Sequence, residues 1–559
     1  MEYTSADYYY DDIRRCLTTT QYDIRRRCSM AYRLFVELMN ETTADAPASF
    51  SGAFSRLHYL HAQRGFSDTL YHAANDFRVR WRRADELTEA ELTDRLPGDL
   101  RALADLVAGL KQAPVPAELA ALLPHHLTAV ESPEPLSEKC LRVVVDAVRS
   151  HELTVSPTDA NSDTEFQLPL APDAAGGRDF RYLLELVEPG MQLNLVAVRR
   201  EGHRLFPELV ILEPDYLVNV TAIAQCIART GTCSEWNVLK KFDPFVTSQH
   251  TLLGSLSGQM LDEEVHGLEA GYADTARRFF SDHALEFAAC DFDRQEFHAQ
   301  AQQQQRNLRN LSQNTFKHQL HLSDEEGVCI EPSFFCEMLG LQGRIDLMKP
   351  DGSVVVEQKS GKIDEFNRTA YREHELQLML YMAMRHYVFG QSYSRLQGYL
   401  LYSRYADERS IWPIPNAPDR LREAFRLRNE IVAREEQFAR TGMRDFIAQL
   451  TPDQLHQPGQ ADPLWNKYIR PQVETLLAPF HTADPTALTY FYRFHRFLVR
   501  ENLLSRFGSS GKEASGFAAA WQCTTAEKRE VGSILTDLRL LSTETDENGH
   551  GVKHLHLAL

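Results

Sequence analysis

Gly343-Arg344-Ile345-Asp346-Leu347-Met348-Lys349-Pro350-Asp351-Gly352-Ser353-Val354-Val355-Val356-Glu357-Gln358-Lys359 is the stretch around which the fold of this chain is expected to form. Asp346 stands near the end of one apolar run, and Glu357-Gln358-Lys359 closes the next. Between them, Pro350-Asp351-Gly352 is turn chemistry, because Pro fixes φ and Gly accepts a positive one. The pattern predicts a β-hairpin. Side chains on a strand repeat with period two, so Glu357 and Lys359 share one face and Gln358 takes the other. Paired strands then bring two carboxylates and an ammonium side by side.

Asp346 and Glu357 are oxygen ligands suited to Mg²⁺ or Mn²⁺, ions that keep waters and bridge phosphate oxygens. Such a metal polarises a phosphoryl oxygen and acidifies bound water, while Lys359 orients the nucleophile or offsets charge that builds in the transition state. This is a set of groups for phosphodiester hydrolysis. Glu331, just after Val328-Cys329-Ile330, is the natural third carboxylate, supplied from a preceding strand or helix end. Downstream, a helix is predicted over about residues 371–387. Gln377 and Tyr381, four apart, share one of its faces, and His374 lies one turn earlier. Gln377 and Tyr381 are placed to hold Lys359 and a DNA backbone, while Leu378, Leu380 and Met382 pack the helix on the sheet. An isolated Asp…Glu-x-Lys arises by chance in many hairpins, and Gln…Tyr alone is an ordinary polar helix edge. Their order and spacing together carry the assignment.

At 559 residues the chain exceeds what one hydrophobic core supports, which suggests three or four domains. With 43% hydrophobic and 25% charged residues and no apolar run long enough to span a bilayer, a soluble cytoplasmic protein without a membrane partner is expected. The first seven residues, Met1 to Asp7, carry no secretory pattern. Nine cysteines at irregular spacing, with no CxxC pair, form no disulfide framework and fit a reducing compartment. A net charge of -18 excludes the surface as a whole as a polyanion binder and leaves room for a locally basic groove.

Residues 1–150 read as a helical N-terminal region, with helical periodicity over 22–38, 100–110 and 136–148; Arg25-Arg26-Arg27 in it reads as a solvated helix face. Residues 151–178, with Pro157, Asn161, Ser162, Asp163 and Gly176-Gly177, read as a linker. Strand patterns over 182–187, 191–199 and 205–212 predict a small β-barrel-like module within 179–216. Helical patterns follow over 217–245 and 252–280, with Gln302 to Gln305 on an exposed helix. A loop is predicted after Gly361, and a helical C-terminal region over 446–559. No internal repeat is evident.

Glu331, Gly340-Leu341-Gln342-Gly343-Arg344-Ile345-Asp346, Glu357-Gln358-Lys359-Ser360-Gly361-Lys362 and His374…Gln377-Leu378-Met379-Leu380-Tyr381 together resemble the RecB-type branch of the PD-(D/E)xK nucleases. Within it they look most like the nuclease domain of the replication helicase/nuclease family that trims Okazaki flaps and resects DNA ends. Residues 209–221, Leu-Val-Ile-Leu-Glu-Pro-Asp-Tyr-Leu-Val-Asn-Val-Thr, are similar to the stretch that joins that family's OB-like barrel to its nuclease. The resemblance covers roughly residues 180–440. It implies an α/β chain with a restriction-endonuclease-like core over 217–445. It also implies Asp346, Glu357 and Glu331 as the metal site, Lys359 as the catalytic lysine, Gln377 with Tyr381 as the helix motif, and His374 and Arg344 as supporting or DNA-contacting residues. Mg or Mn would be the cofactor and single-stranded or flap DNA the substrate.

The chain departs from the family in three places. The family's Gly-x-x-x-His segment is matched by Gly254-Ser255-Leu256-Ser257-Gly258, with glycine where a metal-binding histidine stands. The family's four-cysteine iron-sulfur cluster has Cys226 or Cys233 for its first ligand, but only Cys523 follows Tyr381, so no cluster is expected and Cys233 reads as a small buried apolar residue. No Gly-x-x-x-x-Gly-Lys-Ser/Thr loop is present; Gly508 to Glu513 lacks its spacing and reads as a surface loop. Residues 488–501 nevertheless resemble the helix leading to the family's helicase, so a helicase or ATPase partner, or a longer chain, is expected. The implied function is metal-dependent DNA cleavage in replication, repair or antiphage defence. The competing reading is a noncatalytic DNA-binding scaffold whose metal site is empty.

Overall fold

The computed structural model describes residues 5–46, 50, 53–82, 87–127, 138–158, 165–172, 178–227, 231–242, 246–268, 271–320, 322, 327–456, 460, 462–508, 515–545 and 552–558. Asn161, Ser162, Asp163, Gly176 and Gly177 of the expected linker, and Ser509 to Glu513 of the expected surface loop, lie outside them.

Five helices open the chain: α1 (Ala6–Thr18), α2 (Ile24–Thr42), α3 (Ala53–Arg64), α4 (Asp68–Arg82) and α5 (Glu89–Lys111). They bury a core of their own around Phe35, Leu38, Phe77, Leu103 and Val107. Arg25 of the basic triplet donates to the Leu87 carbonyl at 2.8 Å, and the Arg26 guanidinium lies 4.2 Å from the Tyr22 ring centre.

The helix expected over 136–148 is instead β1 (Glu138–Val148), and the expected linker holds β2 (Glu152–Pro157) and β3 (Phe166–Pro169). Val143-Val144-Val145 satisfies both periodicities; β-branched side chains tip it to strand, where Val143 and Val145 point inward. β4 (Gln192–Glu201), β5 (Arg204–Phe206) and β6 (Leu209–Leu212) follow. β1 pairs with both β2 and β4, so the order β1-β2-β3-β5-β4 closes on itself as a five-stranded barrel, with β6 added along β4. The strand expected over 182–187 is a 3-10 turn, Arg181–Glu185, whose Leu183 enters the barrel core.

After the barrel, β7 (Val218–Asn219) joins a three-stranded sheet with β9 (Ser333–Cys336) and β10 (Leu341–Arg344), in the order β7-β10-β9. A second sheet runs β14-β13-β12-β11-β8, from β8 (Cys329–Ile330), β11 (Leu347–Met348), β12 (Val354–Lys359), β13 (Gln397–Tyr402) and β14 (Ile411–Ile414). β11 and β12 form the antiparallel hairpin about Pro350-Asp351-Gly352, with Gly352 at φ 70. β12 and β13 are parallel, joined by a crossover that contains the helix Arg372–Ala383. Helices α6 (Gln249–Val265) and α7 (Arg294–Leu311) cover one face of this sheet; α8 (Arg372–Ala383) and α9 (Pro418–Thr441) cover the other. Gln304 and Gln305 on α7 are buried rather than exposed. The C-terminal region adds α10 (Pro485–Phe507) and, where helix was expected, a solvent-facing hairpin of β15 (Arg539–Thr545) and β16 (Val552–Ala558). Among the described residues no helix is long and apolar enough to cross a membrane.

Two buried charges tie the barrel to the sheets. Arg428 of α9, fully buried, donates to the carbonyls of Leu212, Gly340 (3.2 Å), Glu213 (2.9 Å) and Tyr216 (2.7 Å). Burial pushes its guanidinium down to about 9. Asp215 takes a two-pronged bond from Arg142 of β1, 3.0 Å on each oxygen, and further donors from Trp521 and Gln522. Arg428→Ala strands several buried carbonyls, so its unfolding midpoint in urea should fall by the equivalent of about 3 kcal/mol or more. An unchanged midpoint would show that Arg428 does not hold these parts together.

Candidate active site

β12 carries its side chains alternately to the helices on its two faces. Val354 and Val356 pack toward α6 and α7, and Val355 packs toward α8. The alternation continues past the valines. Gln358 reaches α6, where its Nε2 donates to the Ser257 carbonyl (3.1 Å) and Oγ (2.7 Å). Glu357 and Lys359 face α8, where Gln377 bridges them: its Nε2 donates to Glu357 Oε1 at 2.6 Å, and its Oε1 accepts from Lys359 Nζ at 2.9 Å. Lys359 Nζ also donates to Glu357 Oε1 at 2.8 Å, closing a three-residue ring.

Glu357 is 4% exposed, and its Oε2 is buried with no hydrogen-bond partner among the described residues. Burial raises its pKa to about 7, against the pull of Lys359 and with repulsion from Asp346 adding to the rise. The pairing of Leu347 with Val356 continues to set Asp346 across from Glu357. Asp346 Oδ2 accepts from the Gln358 backbone N–H at 2.7 Å, and burial raises this carboxyl too.

Glu331 follows β8 in a left-handed backbone conformation, φ 47, which a non-glycine residue adopts at a cost of about 1 kcal/mol or more. Its N–H donates to the Asp346 carbonyl at 3.0 Å, and its carboxylate accepts from Arg344 at 2.8 Å. Both side chains of that ion pair are over 40% exposed, so the pair is weak and readily opened. Tyr381, buried on α8, donates to the Arg344 carbonyl at 2.8 Å. Its ring passes so close to the strand that a Cβ on Gly343 would lie 2.7 Å from it, so glycine is required there. His374 is turned onto the Tyr402 hydroxyl, 2.8 Å away. Burial, with Lys359 nearby, pushes it down to about 3, so the imidazole is neutral. The fold therefore brings Asp346, Glu357, Lys359 and Gln377 together, with Glu331, Arg344 and Tyr381 at their edge, and holds His374 to one side.

Two features escaped the sequence reading. Asp262 of α6 lies one turn beyond Gly258, on the face that also carries Gly254, whose position is 3.4 Å from Ser360 Oγ when a Cβ is added. Its carboxyl is raised to about 7 by burial and by the like charges of Glu331 and then Asp346. The four-residue spacing of Gly254, Gly258 and Asp262 was the available signal. The second feature is a buried polar chain behind the ring: Ser257 Oγ meets Ser403 Oγ at 2.9 Å, Ser403 Oγ donates to Gln304 at 2.6 Å, and Gln304 donates to the Ser360 carbonyl at 3.2 Å. Asn307, one turn from Gln304, donates to the Ser403 carbonyl at 2.9 Å. The apolar stripe of Phe297, Ala301, Leu308 and Leu311, which Gln304 continues at helical spacing, was the available signal for the buried face.

Carboxyls with raised pKa values, an unpaired buried carboxylate oxygen and oxygen donors alone make a site that suits a hard divalent cation. Among the described residues no three His, Cys, Asp or Glu side chains form a ready cage. Mg²⁺ takes one or two carboxylates and fills its shell with waters and phosphate oxygens, so the donor set fits. The cysteines tell a separate story. Cys226 and Cys233 are buried, Cys233 donates to Glu235 at 3.1 Å, and burial pushes Cys226 up to about 12 and Cys233 up as well. Cys523 is half-buried.

The raised carboxyls fix a sign for stability. A carboxyl whose pKa is higher in the folded chain than in the unfolded one stabilises the fold below its unfolded value and loses that contribution as pH rises through the folded value. In metal-free protein Glu357 and Asp262 should therefore withdraw stability between about pH 4.5 and pH 7, against the opposite trend from the neutral, buried His374. Glu357→Gln should therefore gain stability relative to the native chain as pH rises across that range in thermal scans; a pH-independent difference would remove Glu357 as a contributor.

Residues 183–349 match the family model of DNA replication factor Dna2. The matched span runs from the turn after β3 to the end of β11 and takes in Asp262, Glu331, Arg344 and Asp346. It stops before Glu357, Lys359, Gln377 and Tyr381. No curated protein matches the chain. Over less than a third of its length, the chain is similar to a family of DNA replication factors.

Proposed function

We infer that the chain is a divalent-metal-dependent deoxyribonuclease with a RecB-type PD-(D/E)xK site on a restriction-endonuclease-like sheet. It cuts single-stranded or flap DNA beside a helicase or ATPase, in replication, repair or antiphage defence. One observation carries this reading: Glu357 is buried beside Asp346 with Oε2 unpaired, while Gln377 holds Lys359 against its other oxygen. A structural ion pair would satisfy both oxygens. The likeness to DNA replication factor Dna2 supports DNA as the substrate.

Asp346 and Glu357 would hold Mg²⁺ or Mn²⁺, with Asp262 and Glu331 available to its water shell. When bound, the metal supplies Lewis-acid polarisation of the phosphate and acidified water. The chain's own groups do the positioning. Gln377 fixes the Lys359 ammonium, which then faces the charge that grows on the phosphoryl oxygens. The Gln358 N–H fixes the Asp346 carboxylate, and Tyr381 anchors the backbone of Arg344, whose exposed guanidinium can exchange Glu331 for a phosphate. The scaffold reading draws on Gly258, which brings no ligand atom; Asp262, one turn further, supplies a carboxylate to the same region.

The test is cleavage of end-labelled single-stranded, flap and blocked-end DNA with Mg²⁺ or Mn²⁺. Glu357→Ala and Lys359→Ala should each lower cleavage about 100-fold or more while DNA binding persists. Metal-dependent cleavage by the pure variants at native rates would overturn the assignment.

A further inference from the structure

The N-terminal half of α10 presents three aromatic rings to solvent on one stripe. Tyr490, Phe494 and Phe497, spaced i, i+4, i+7, are 70%, 47% and 53% exposed. They are already ordered as a stack: Tyr490 and Phe494 lie 5.9 Å apart at 5°, and Phe494 and Phe497 lie 6.1 Å apart at 29°. Their helix is rigidly seated. Its other face packs Phe491 and His495 against Phe242, and His495 against Phe438. Arg496 donates to the Ala439 carbonyl at 3.0 Å, and Asp484 caps the first turn.

An arginine follows the first and last ring of the stripe by one helical turn. Arg493 lines the shallow cleft between Tyr490, Phe494 and Phe497, and Arg500 lies three residues beyond Phe497. Both are exposed, and neither has a hydrogen bond or ion pair among the described residues. Residues 485–507 carry four arginines and one glutamate in a chain of net charge -18. An apolar protein face laid on this stripe would bury those guanidinium groups without partners, whereas a polyanion with planar bases satisfies rings and charges together.

We propose that this stripe is a single-stranded nucleic-acid platform, on which bases stack against Tyr490, Phe494 and Phe497 while Arg493 and Arg500 hold the phosphates. It deepens the nuclease reading by giving the substrate strand a second point of attachment, outside the ring of Glu357, Lys359 and Gln377, and it rests on that reading for the strand's identity.

The experiment is fluorescence anisotropy of labelled oligo-dT with the full chain in EDTA, using strands of about 6 and about 25 nucleotides, one within and one well beyond the roughly 4–16 nucleotides that a single-strand groove occupies. Tyr490→Ala/Phe494→Ala/Phe497→Ala should bind the long strand at least about tenfold more weakly. Arg493→Gln/Arg500→Gln should flatten its salt dependence, because two phosphate contacts are lost. Phe494→Trp should keep the affinity, and the emission it adds over that of the five native tryptophans should be quenched when the long strand binds. Native affinity and salt slope in both multiple variants would overturn the platform. So would unquenched Phe494→Trp at saturating DNA, and so would a triple variant that binds DNA normally but loses a co-purifying protein. If Glu357→Ala still cuts while these effects appear, the nuclease assignment fails and the platform stands.

Discussion

Burying the Glu357 carboxylate at the end of β12 is the constraint around which the rest of the site is arranged. Removing a carboxylate from water costs several kcal/mol even after relaxation, and an unpaired oxygen adds to that. The fold recovers only part of the cost. Lys359 and Gln377 satisfy Oε1; Oε2 is left bare, and Asp346 across the hairpin makes the charge harder still to hold. A structure selected for stability alone would place an apolar side chain there. A site that receives a cation and a phosphate would keep the carboxylate.

Holding that arrangement requires fixing β12 from both sides. On one side α8 approaches so closely that Gly343 and Gly398 leave no room for a Cβ beside Tyr381 and Met382. On the other, the chain of Gln358, Ser257, Ser403 and Gln304 anchors the strand end that carries Lys359. Buried polar chains of this kind rigidify when every member is bonded. Farther out, Arg428 and Asp215 bind the barrel to the segment that leads into β7.

Local periodicity made some of this legible in the sequence. The two-residue alternation of Glu357, Gln358 and Lys359, the Pro350-Asp351-Gly352 turn and the four-residue step from Gln377 to Tyr381 are short-range patterns, and the backbone follows them. Other parts were illegible for physical reasons. Residues 138–148 satisfy helix and strand periodicity alike; their valines favour strand, and pairing with β2 next to them and β4 about fifty residues away completes it. Closure of the barrel is a long-range fact of the same kind. The spacing of Gly254, Gly258 and Asp262 marks a shared helix face but not what that face meets, because Glu331 and Asp346 reach Asp262 only through the packing of α6 on the sheet. The glutamine run 302–305 reads as polar surface, yet Gln304 sits on the apolar stripe of Phe297, Ala301, Leu308 and Leu311, and α7 turns it and Asn307 toward Ser403.

Isothermal titration calorimetry of Mn²⁺ or Mg²⁺ into the full chain tests the central claim most directly. The account predicts a binding isotherm for the native chain that tightens as pH rises through about 7, and its loss in Asp346→Asn/Glu357→Gln. Absence of binding to the native chain in the presence of uncleavable DNA, or the same isotherm in the double variant, would contradict it.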